Sequence, residues 1–397
     1  MRKFVCVMFM IASTFVAIGG DAKNNGQETE LKQLCQGNLS AAVGYYKETA
    51  LAGQNVCLSP FSISAAFSMV YEGAKGETAD ELKVALGFDM NLTELNDAWK
   101  NLNTSLNGAL KSSDMKLSIA NGLCLVNGDL GAAYKNLLKT YYDAEIFPGN
   151  LETINTWVAN KTEQKIKKLL DSLDNKAVGV LLNAIYFKGL WANAFDPEQT
   201  RDSDFTTGDG KKIIVPMMSR KGDYRMLETP ALQAIALPYK EDKISMILLM
   251  PSKASDITAL EKSIDASSLA RVLEDLDREF PRETGVYVPR FKLETDYDLI
   301  PIFRKMGVSL LFGGDADLSG TGLPKGELCV SQAVHKAFIE VNEEGTEAAA
   351  ATAVTMLRMS FVQPREFRAD KPFIYIIREN GTGSILFIGK IVDPSQS

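Results

Sequence analysis

The stretch that decides the fold is EEGTEAAAATAVTMLRMS, from Glu343 to Ser360. Its first half consists almost entirely of small side chains, and its second half is bulkier. An alanine-rich helix or a linker is one interpretation, because alanine is the best helix former. As an extended strand, the stretch places Thr346 and every second residue up to Met356 on one uncharged face, with Glu347 on the other. The pattern therefore also fits an exposed segment that is able to enter a β-sheet.

The composition is that of a globular protein without a nucleic-acid surface. The chain has 397 residues, 46% of them hydrophobic, and a net charge of −7, and this apolar content is ordinary for globular domains. A nucleic-acid surface requires a basic patch. The lysines between positions 161 and 168 are diluted by acidic neighbours, which favours a solvated helix face. No linker, charge run or internal repeat divides the chain, so we predict one domain and no nucleic-acid partner.

The first residues have the pattern of a secretion signal. Arg2 and Lys3 precede an apolar run that extends to Ile18, and small residues follow as far as Ala22. The apolar run is short for a membrane span. We therefore predict a signal peptide over residues 1–22, a mature domain over residues 23–397, and a secreted protein that is extracellular, or periplasmic if the source is bacterial.

Of the five cysteines, Cys6 lies in the predicted signal peptide. The other four, Cys35, Cys57, Cys124 and Cys329, are widely spaced. Three of them lie among apolar or strand-like residues, which favours buried free thiols. An oxidising compartment would also permit a disulfide.

The sequence carries no recognisable catalytic or metal-binding set. Its one histidine, His335, lies on the apolar face of a predicted strand over residues 327–342, which is typical of a structural histidine. A single histidine excludes the His-Glu-x-x-His zinc motif, and Cys-x-x-Cys and Gly-x-Ser-x-Gly do not occur. We therefore predict neither enzymatic activity nor a metal or cofactor.

Hydrophobic periodicity predicts an α+β protein, with helices concentrated early and strands late. Ser59 and Pro60 suit the N-cap and first position of a helix, and Thr78 with Glu81 suits a capping box. Further helices are predicted over residues 28–49, 92–110, 132–142, 151–173, 257–276 and 296–305. Strands are predicted over residues 116–125, 178–187, 285–293, 327–342, 372–377 and 385–392, and in several pieces between 204 and 250. The strand over 178–187 is almost continuously apolar, which indicates cover on both faces.

Several stretches, in the right order, resemble the serpin family from about residue 28 to the end. They are NVCLSPFSISAAFSM from Asn55, LLNAIYFKGLWANAF from Leu181, VHKAFIEVNEEGTEAAAAT from Val334 and KPFIYIIRENGTGSILFIGKIVDP from Lys371, with VPMM, LPY and VPRF between them. The resemblance implies three β-sheets, eight to nine helices and an exposed reactive-centre loop, which is the stretch quoted first. The largest sheet of the family is called sheet A.

The resemblance also implies three groups of site residues. The hinge, at the start of the loop, comprises Glu343, Gly345, Thr346, Glu347, Ala348, Ala349, Ala350 and Ala351. The shutter, beneath the opening sheet, comprises Ser59, Ser62, Asn183 and His335. The breach, where the loop first enters, comprises Trp191, Arg290 and Glu343. A hinge of small residues resembles that of inhibitory serpins; the one departure is Ala350, where antitrypsin has glycine.

Family spacing counted from Gly345 implies a reactive bond at Met359–Ser360, as in antitrypsin, with Arg358–Met359 as the alternative. Met359 implies elastase-, chymotrypsin- or subtilisin-like serine proteases as partners, whereas Arg358 implies a trypsin-like one.

The implied function is suicide inhibition, in which the cleaved loop inserts into sheet A and the protease is trapped in a 1:1 covalent complex. A non-inhibitory serpin acting as carrier or chaperone is the alternative, and the small-residue hinge weakens it. We expect a monomer, and residues 92–110 show no evident basic site for heparin.

Overall fold

The computed structural model describes residues 19–50, 53–110, 115–126, 129–173, 179–252, 255–346 and 365–396, with side chains from residue 26 onward. Within these ranges it contains nine α-helices and sixteen β-strands. The helices are α1 Gly19–Thr49, α2 Pro60–Gly73, α3 Gly76–Ala85, α4 Leu92–Ala109, α5 Ala132–Tyr142, α6 Leu151–Lys161, α7 Ile257–Ser263, α8 Ala266–Arg278 and α9 Leu299–Lys305. The strands are β1 Val56–Leu58, β2 Met115–Leu125, β3 Glu145–Pro148, β4 Gly179–Leu190, β5 Arg201–Thr206, β6 Lys212–Tyr224, β7 Met226–Glu228, β8 Leu232–Pro238, β9 Ile244–Pro251, β10 Arg282–Pro289, β11 Phe291–Asp298, β12 Val330–Val341, β13 Gly345–Thr346, β14 Arg365–Arg368, β15 Phe373–Glu379 and β16 Ile385–Ile391.

The strands form three sheets, which confirms the predicted α+β class. Sheet A has the order β11-β12-β13-β4-β2-β3, and β12 also pairs directly with β4. Sheet B has the order β1-β16-β15-β9-β8-β7, and sheet C has the order β14-β10-β6-β5. Strand β14 runs parallel to β10 at the edge of sheet C, so the chain on either side of residues 347–364 belongs to different sheets.

Helix α2 is enclosed by the rest of the protein, and all of its residues are buried. It begins as predicted: the Ser59 side chain accepts the N–H of Ser62 at 3.2 Å, and Pro60 occupies the first turn, where its missing N–H needs no partner. Because α2 packs against β4, the N-terminus of this helix lies under the centre of sheet A.

Strand β4 is covered on both faces, as its apolar sequence predicts. Leu181, Ile185 and Phe187 belong to the main core with α2. Val180, Leu182, Ala184 and Tyr186 belong to a second cluster with α6 and residues 166–170. Since side chains alternate along a strand, the two cores divide β4 between them, and a new strand beside it has to fit both.

Three local predictions are wrong for identifiable reasons. Helix α3 starts earlier than predicted, with Lys75 as its N-cap. The presumed capping-box residues make tertiary contacts instead: the Thr78 hydroxyl accepts the N–H of Asp317 at 3.0 Å, and the Glu81 carboxylate accepts the N–H of Ser309 at 2.8 Å.

Helix α6 ends at Lys161 rather than continuing to residue 173, because Glu163 and Gln164 adopt left-handed backbone conformations with φ of 51° and 63°. The helix predicted over 257–276 is divided into α7 and α8, since Asp265 accepts the N–H of Ser268 at 2.7 Å and starts a new helix.

The four cysteines within the described residues are free thiols, as predicted. Cys57 and Cys124 are buried, and Cys35 and Cys329 are partly buried. Burial raises the pKa of Cys57 to about 12, so its thiol stays protonated and unreactive at neutral pH.

Candidate functional site: hinge, breach and shutter

A short extra strand, β13, lies at the top of sheet A. β12 and β4 run parallel and pair as far as Phe338 and Tyr186. Beyond that pair the two strands separate, and β13 lies between them, antiparallel to both. Thr346 pairs with Val341 on one side and with Gly189 on the other. Gly345 and Thr346 of the hinge are therefore already seated in sheet A.

Only glycine fits at position 345. A Cβ atom there would lie 2.0 Å from the Gly189 carbonyl oxygen and 2.7 Å from the Leu190 Cα, far inside van der Waals contact. The Gly345 carbonyl in turn accepts the N–H of Asn342 at 2.9 Å. The glycine therefore permits the close backbone approach that places β13 against β4.

The Thr346 side chain is fully buried. Its hydroxyl oxygen lies 2.7 Å from that of Tyr239, a hydrogen-bond distance at which either group can be the donor. The Tyr239 ring is also fully buried and stacks on Trp191, with centroids 4.5 Å apart and an interplanar angle of 13°. Our sequence analysis missed Tyr239 as a site residue, and its only signal was its place in the LPY stretch.

Hydrogen bonds from residues that follow β4 hold the chain that leads into β13. The N–H of Trp191 donates to the Glu344 carbonyl at 2.9 Å, and its indole N–H donates to the Asn342 carbonyl at 3.0 Å. The N–H of Phe195 donates to the Glu343 carbonyl at 2.7 Å. Residues 342–344 are thus fixed to the sheet just ahead of β13.

An ion pair lies at the base of the hinge. Arg290 Nε donates to Glu343 Oε1 at 2.7 Å, and the Thr200 hydroxyl donates to the same oxygen. Burial raises the pKa of Glu343, but the hydrogen bonds from Arg290 and Thr200 outweigh it, so the pKa is below its usual value and the carboxylate stays ionised. The structure thus brings Trp191, Arg290 and Glu343 together around the entrance to sheet A.

The four residues assigned to the shutter form one buried polar cluster across sheet A. Asn183 and His335 are opposite each other in the β4–β12 ladder, and His335 Nδ1 is hydrogen-bonded to Asn183 Oδ1. The Ser59 N–H donates to His335 Nε2 at 3.0 Å. Asn183 Nδ2 donates to the Ser62 carbonyl at 2.9 Å and to Asn121 Oδ1 at 2.7 Å. Asn121, on β2, is a member that the sequence did not identify.

These contacts fix the protonation state of the histidine. Since Nε2 accepts from Ser59, the proton of the neutral ring is on Nδ1 and is donated to Asn183. Burial lowers the pKa of His335 to about 3, because the charged ring would lose its hydration. A neutral His335 therefore joins β12 to β4 through its side chain.

The other residues assigned to the loop lie outside the described residues. They are Glu347, Ala348, Ala349, Ala350, Ala351, Arg358, Met359 and Ser360, and their roles stay predictions. Within the described part of the chain, no group of three or more His, Cys, Asp or Glu residues is placed to hold a metal ion. No helix in that part is both long enough and apolar enough to cross a membrane.

Comparison with known proteins identifies the family. The sequence matches the profile described as Serpin (serine protease inhibitor) over residues 36–394, so this chain belongs to the serpin family. Leukocyte elastase inhibitor from Equus caballus is 36% identical over 390 residues, which are 92% of this chain and 100% of that protein. Serpin B11 from Homo sapiens is 34% identical over 391 residues, which are 91% and 99% of the two chains.

The solved structures agree with this assignment. Human thyroxine-binding globulin, crystallised with thyroxine, superposes with a TM-score of 0.83 and 30% sequence identity, over 92% of this chain and 100% of that one. The serpin fold implied by the sequence is therefore confirmed, and protease inhibition is the activity that the family description names.

The neutral shutter histidine predicts a characteristic pH dependence of stability. In the unfolded chain His335 has a pKa near 6.5, and in the folded protein the pKa is about 3. Between these values the unfolded state binds more protons, so the stabilisation is complete above about pH 6.5 and declines on acidification. We expect the free energy of unfolding of the wild type, relative to His335→Gln, to fall by about 1.4 kcal/mol per pH unit below pH 6.

The variant is needed as the reference because another buried group has the opposite effect. Burial raises the pKa of Glu72 to about 7, so acidification between that value and about 4.5 stabilises the folded state. Urea unfolding of both proteins at several pH values isolates the contribution of His335 to the free energy of unfolding. A difference between them that does not change from pH 7 to pH 5 would contradict the assignment of a neutral, hydrogen-bonded His335.

Proposed function

We propose that this protein is a secreted suicide inhibitor of serine proteases, which traps its target as a 1:1 covalent acyl-enzyme by inserting its cleaved loop into sheet A. The observation that carries the proposal is β13, which lies between β4 and β12 with Thr346 buried. A strand that has begun in this position supports its continuation between the same two neighbours.

The length of the loop fits that continuation. Thr346 pairs with Gly189 in antiparallel register, so each further loop residue pairs one position further down β4. Continuing the register brings Met356 opposite Gly179, where β4 begins. The inserted segment from Gly345 to Met356 would then match the 12 residues of β4, and Met359 follows just beyond it.

The side chains of the loop also fit the two faces of the sheet. In the continued register, Thr346 and the even-numbered residues face the main core, and the odd-numbered residues face α6. Ala349, Ala351 and Ala353 would then lie under the apolar cluster formed by α6 and residues 166–170, where a small side chain needs the least displacement. Glu347 would lie opposite Lys188 on that face.

Insertion requires the shutter to open. It separates the eight residue pairs between β12 and β4, together with the hydrogen bond between Asn183 and His335. In the continued register, Thr352 falls between these two residues and points toward the same core. The Thr352 hydroxyl is then available to Asn183 and His335, which lose the hydrogen bond to each other, so the buried polar groups still have partners.

The energy balance is close, so burial and strain decide it. Each new backbone hydrogen bond contributes about 1 kcal/mol net, whereas ordering the backbone costs about 1–2 kcal/mol per residue. Burial of Val354 and Met356 and relief of strain in the intact sheet then favour insertion. The intact inhibitor is in this account kinetically trapped above its most stable form.

In the proposed reaction, the protease begins its normal cleavage of a peptide bond but does not complete it. The protease serine attacks the Met359 carbonyl, the bond to Ser360 breaks, and the amine of Ser360 leaves while an acyl-enzyme remains. Insertion then carries the attached protease away before water completes the hydrolysis. Met359 suits an elastase-, chymotrypsin- or subtilisin-like enzyme, and the relative named as an elastase inhibitor supports this choice. Cleavage at Arg358–Met359 by a trypsin-like enzyme is the alternative.

The proposal of secretion rests on the sequence pattern of residues 1–22 alone. Of these residues, the first 18 lie outside the described part of the chain. Expression of the full chain in a secreting host, followed by N-terminal sequencing of the exported protein, tests it. A first residue at Lys23 supports removal of a signal peptide, whereas retention of the whole chain inside the cell contradicts it.

Incubation with elastase, chymotrypsin, subtilisin and trypsin tests inhibition and the reactive bond together. We expect a complex that survives denaturing electrophoresis, and release of a C-terminal fragment that begins at Ser360. A fragment beginning at Met359 would assign the bond to Arg358. Complete cleavage by all four proteases without any stable complex would favour the carrier or chaperone alternative.

The buried position of Thr346 predicts that Thr346→Arg converts the inhibitor into a substrate. An unpaired cation at this site would lose its hydration at a cost of several kilocalories per mole, so insertion should fail and the acyl-enzyme should hydrolyse. We expect the number of inhibitor molecules consumed per protease inactivated to rise at least tenfold. Thr346→Ser, which keeps the hydroxyl, serves as the matched control. An unchanged stoichiometry for the arginine variant would show that Thr346 does not insert.

A further inference from the structure

We propose that Tyr239 is the positioning residue for the hinge: its hydroxyl group holds Thr346 between β4 and β12 in the intact protein and sets the register in which the cleaved loop extends. The consequence for inhibition rests on the proposed function. The seating of the hinge is a property of the intact protein and is measurable without a protease.

Tyr239 is held rigidly enough to act as a fixed receptor. It directly follows β8, and its N–H donates to the Ile244 carbonyl at 2.9 Å. Its ring stacks on Trp191 and meets the edge of Phe187, with centroids 5.1 Å apart and an interplanar angle of 83°. Both aromatic partners lie on or next to the end of β4, so the Tyr239 hydroxyl has a defined position beside the strand that receives the hinge.

The hydrogen bond between the two hydroxyl groups favours the seated hinge. Both side chains are fully buried, and each hydroxyl is the partner described for the other. If the hinge left the sheet, the Tyr239 hydroxyl would lose this partner inside the protein, which is unfavourable. Burial also raises the pKa of Tyr239, so the group remains a neutral phenol able to donate or accept.

The other contacts at the breach hold residues 342–344, which precede β13, and not Thr346 itself. Trp191 and Phe195 bind backbone carbonyls of residues 342–344, and Arg290 binds the Glu343 side chain. Among the described residues, Tyr239 provides the side-chain hydrogen bond to Thr346. The hydrogen bond with Tyr239 is therefore the contact that Thr346 would lack if the chain were held to the sheet only through residues 342–344.

The sequence of the hinge makes this contact specific for one register. Between Gly345 and Ala351, Thr346 is the only residue with a hydroxyl group. A shift of one residue reverses the faces of a strand, and here it would direct the Glu347 carboxylate toward the buried Tyr239. The alanines that follow carry no group that could correct such a shift, so the register has to be fixed at Thr346.

Hydrogen–deuterium exchange on the intact protein tests the seating directly. For Tyr239→Phe and for Thr346→Val we expect the amides of residues 345 and 346 to exchange up to about fivefold faster, which corresponds to one neutral hydrogen bond. The double variant should exchange no faster than either single one, since both remove the same bond. Tyr45→Phe is the matched control, because it removes a buried hydroxyl paired with Ser64 away from the hinge.

Gly345→Ala provides an independent variant if the Tyr239 change impairs folding. Its Cβ atom would meet the Gly189 carbonyl, so the hinge should leave the sheet and exchange should rise without any change at Tyr239. Unchanged exchange in Tyr239→Phe and in Thr346→Val, or equal effects of Tyr45→Phe, would overturn the inference whatever the inhibitory activity.

The consequence for inhibition is measured with elastase. We expect Tyr239→Phe to raise the stoichiometry of inhibition by up to about fivefold and to leave the rate of acyl-enzyme formation unchanged. A general loss of stability would not change the first quantity without the second. Faster exchange with an unchanged stoichiometry would overturn the role of Tyr239 in insertion. If the wild type forms no complex with elastase, chymotrypsin, subtilisin or trypsin, the proposed function fails, while the exchange experiment still decides the seating.

Discussion

The structure depends on the pairing of β4 with β12. These two parallel strands close sheet A from Gly179 to Tyr186, and the bond between Asn183 and His335 joins them through their side chains as well. The same two side chains are tied to the N-terminus of α2 by Ser59 and Ser62. A single buried network therefore couples the closed sheet to the helix beneath it. Because such networks are stable only when every member has a partner, the sheet resists partial opening.

The hinge holds β4 and β12 apart at the top of sheet A, whereas the shutter holds them together below. At the top, β13 already separates the strands, and two backbone ladders and the Tyr239 contact stabilise it. Below Phe338 the strands remain paired with each other. Above the boundary, the hinge has small side chains and the Thr346 hydroxyl, which is bonded to Tyr239. Below it, Asn183 and His335 form a polar pair that is already hydrogen-bonded. In the proposed mechanism, cleavage of the loop shifts that boundary down the sheet.

The sequence predicts those parts of the site that are local and misses those that are not. The apolar run of β4, the Ser59–Pro60 helix start and the structural character of His335 follow from period and capping alone. Tyr239 lies 107 residues from Thr346 along the chain, and no local pattern connects them. Asn121 joins the shutter only because β2 pairs with β4. The end of α6 was missed since Glu163 and Gln164 adopt positive φ without the glycine that usually indicates it.

In the proposed mechanism, the hinge specifies the inserted strand before that strand forms. Gly345 is required by the approach of Gly189, and Thr346 by the buried hydroxyl of Tyr239. The charge of Glu343 is fixed outside the sheet by Arg290. Three different interactions, steric, hydrogen-bonding and ionic, thus determine one register within four residues. In the proposed insertion, once the register is fixed, the residues that follow need only be small and uncharged on the core-facing side. An alanine-rich sequence is therefore sufficient, although by itself it resembles a helix.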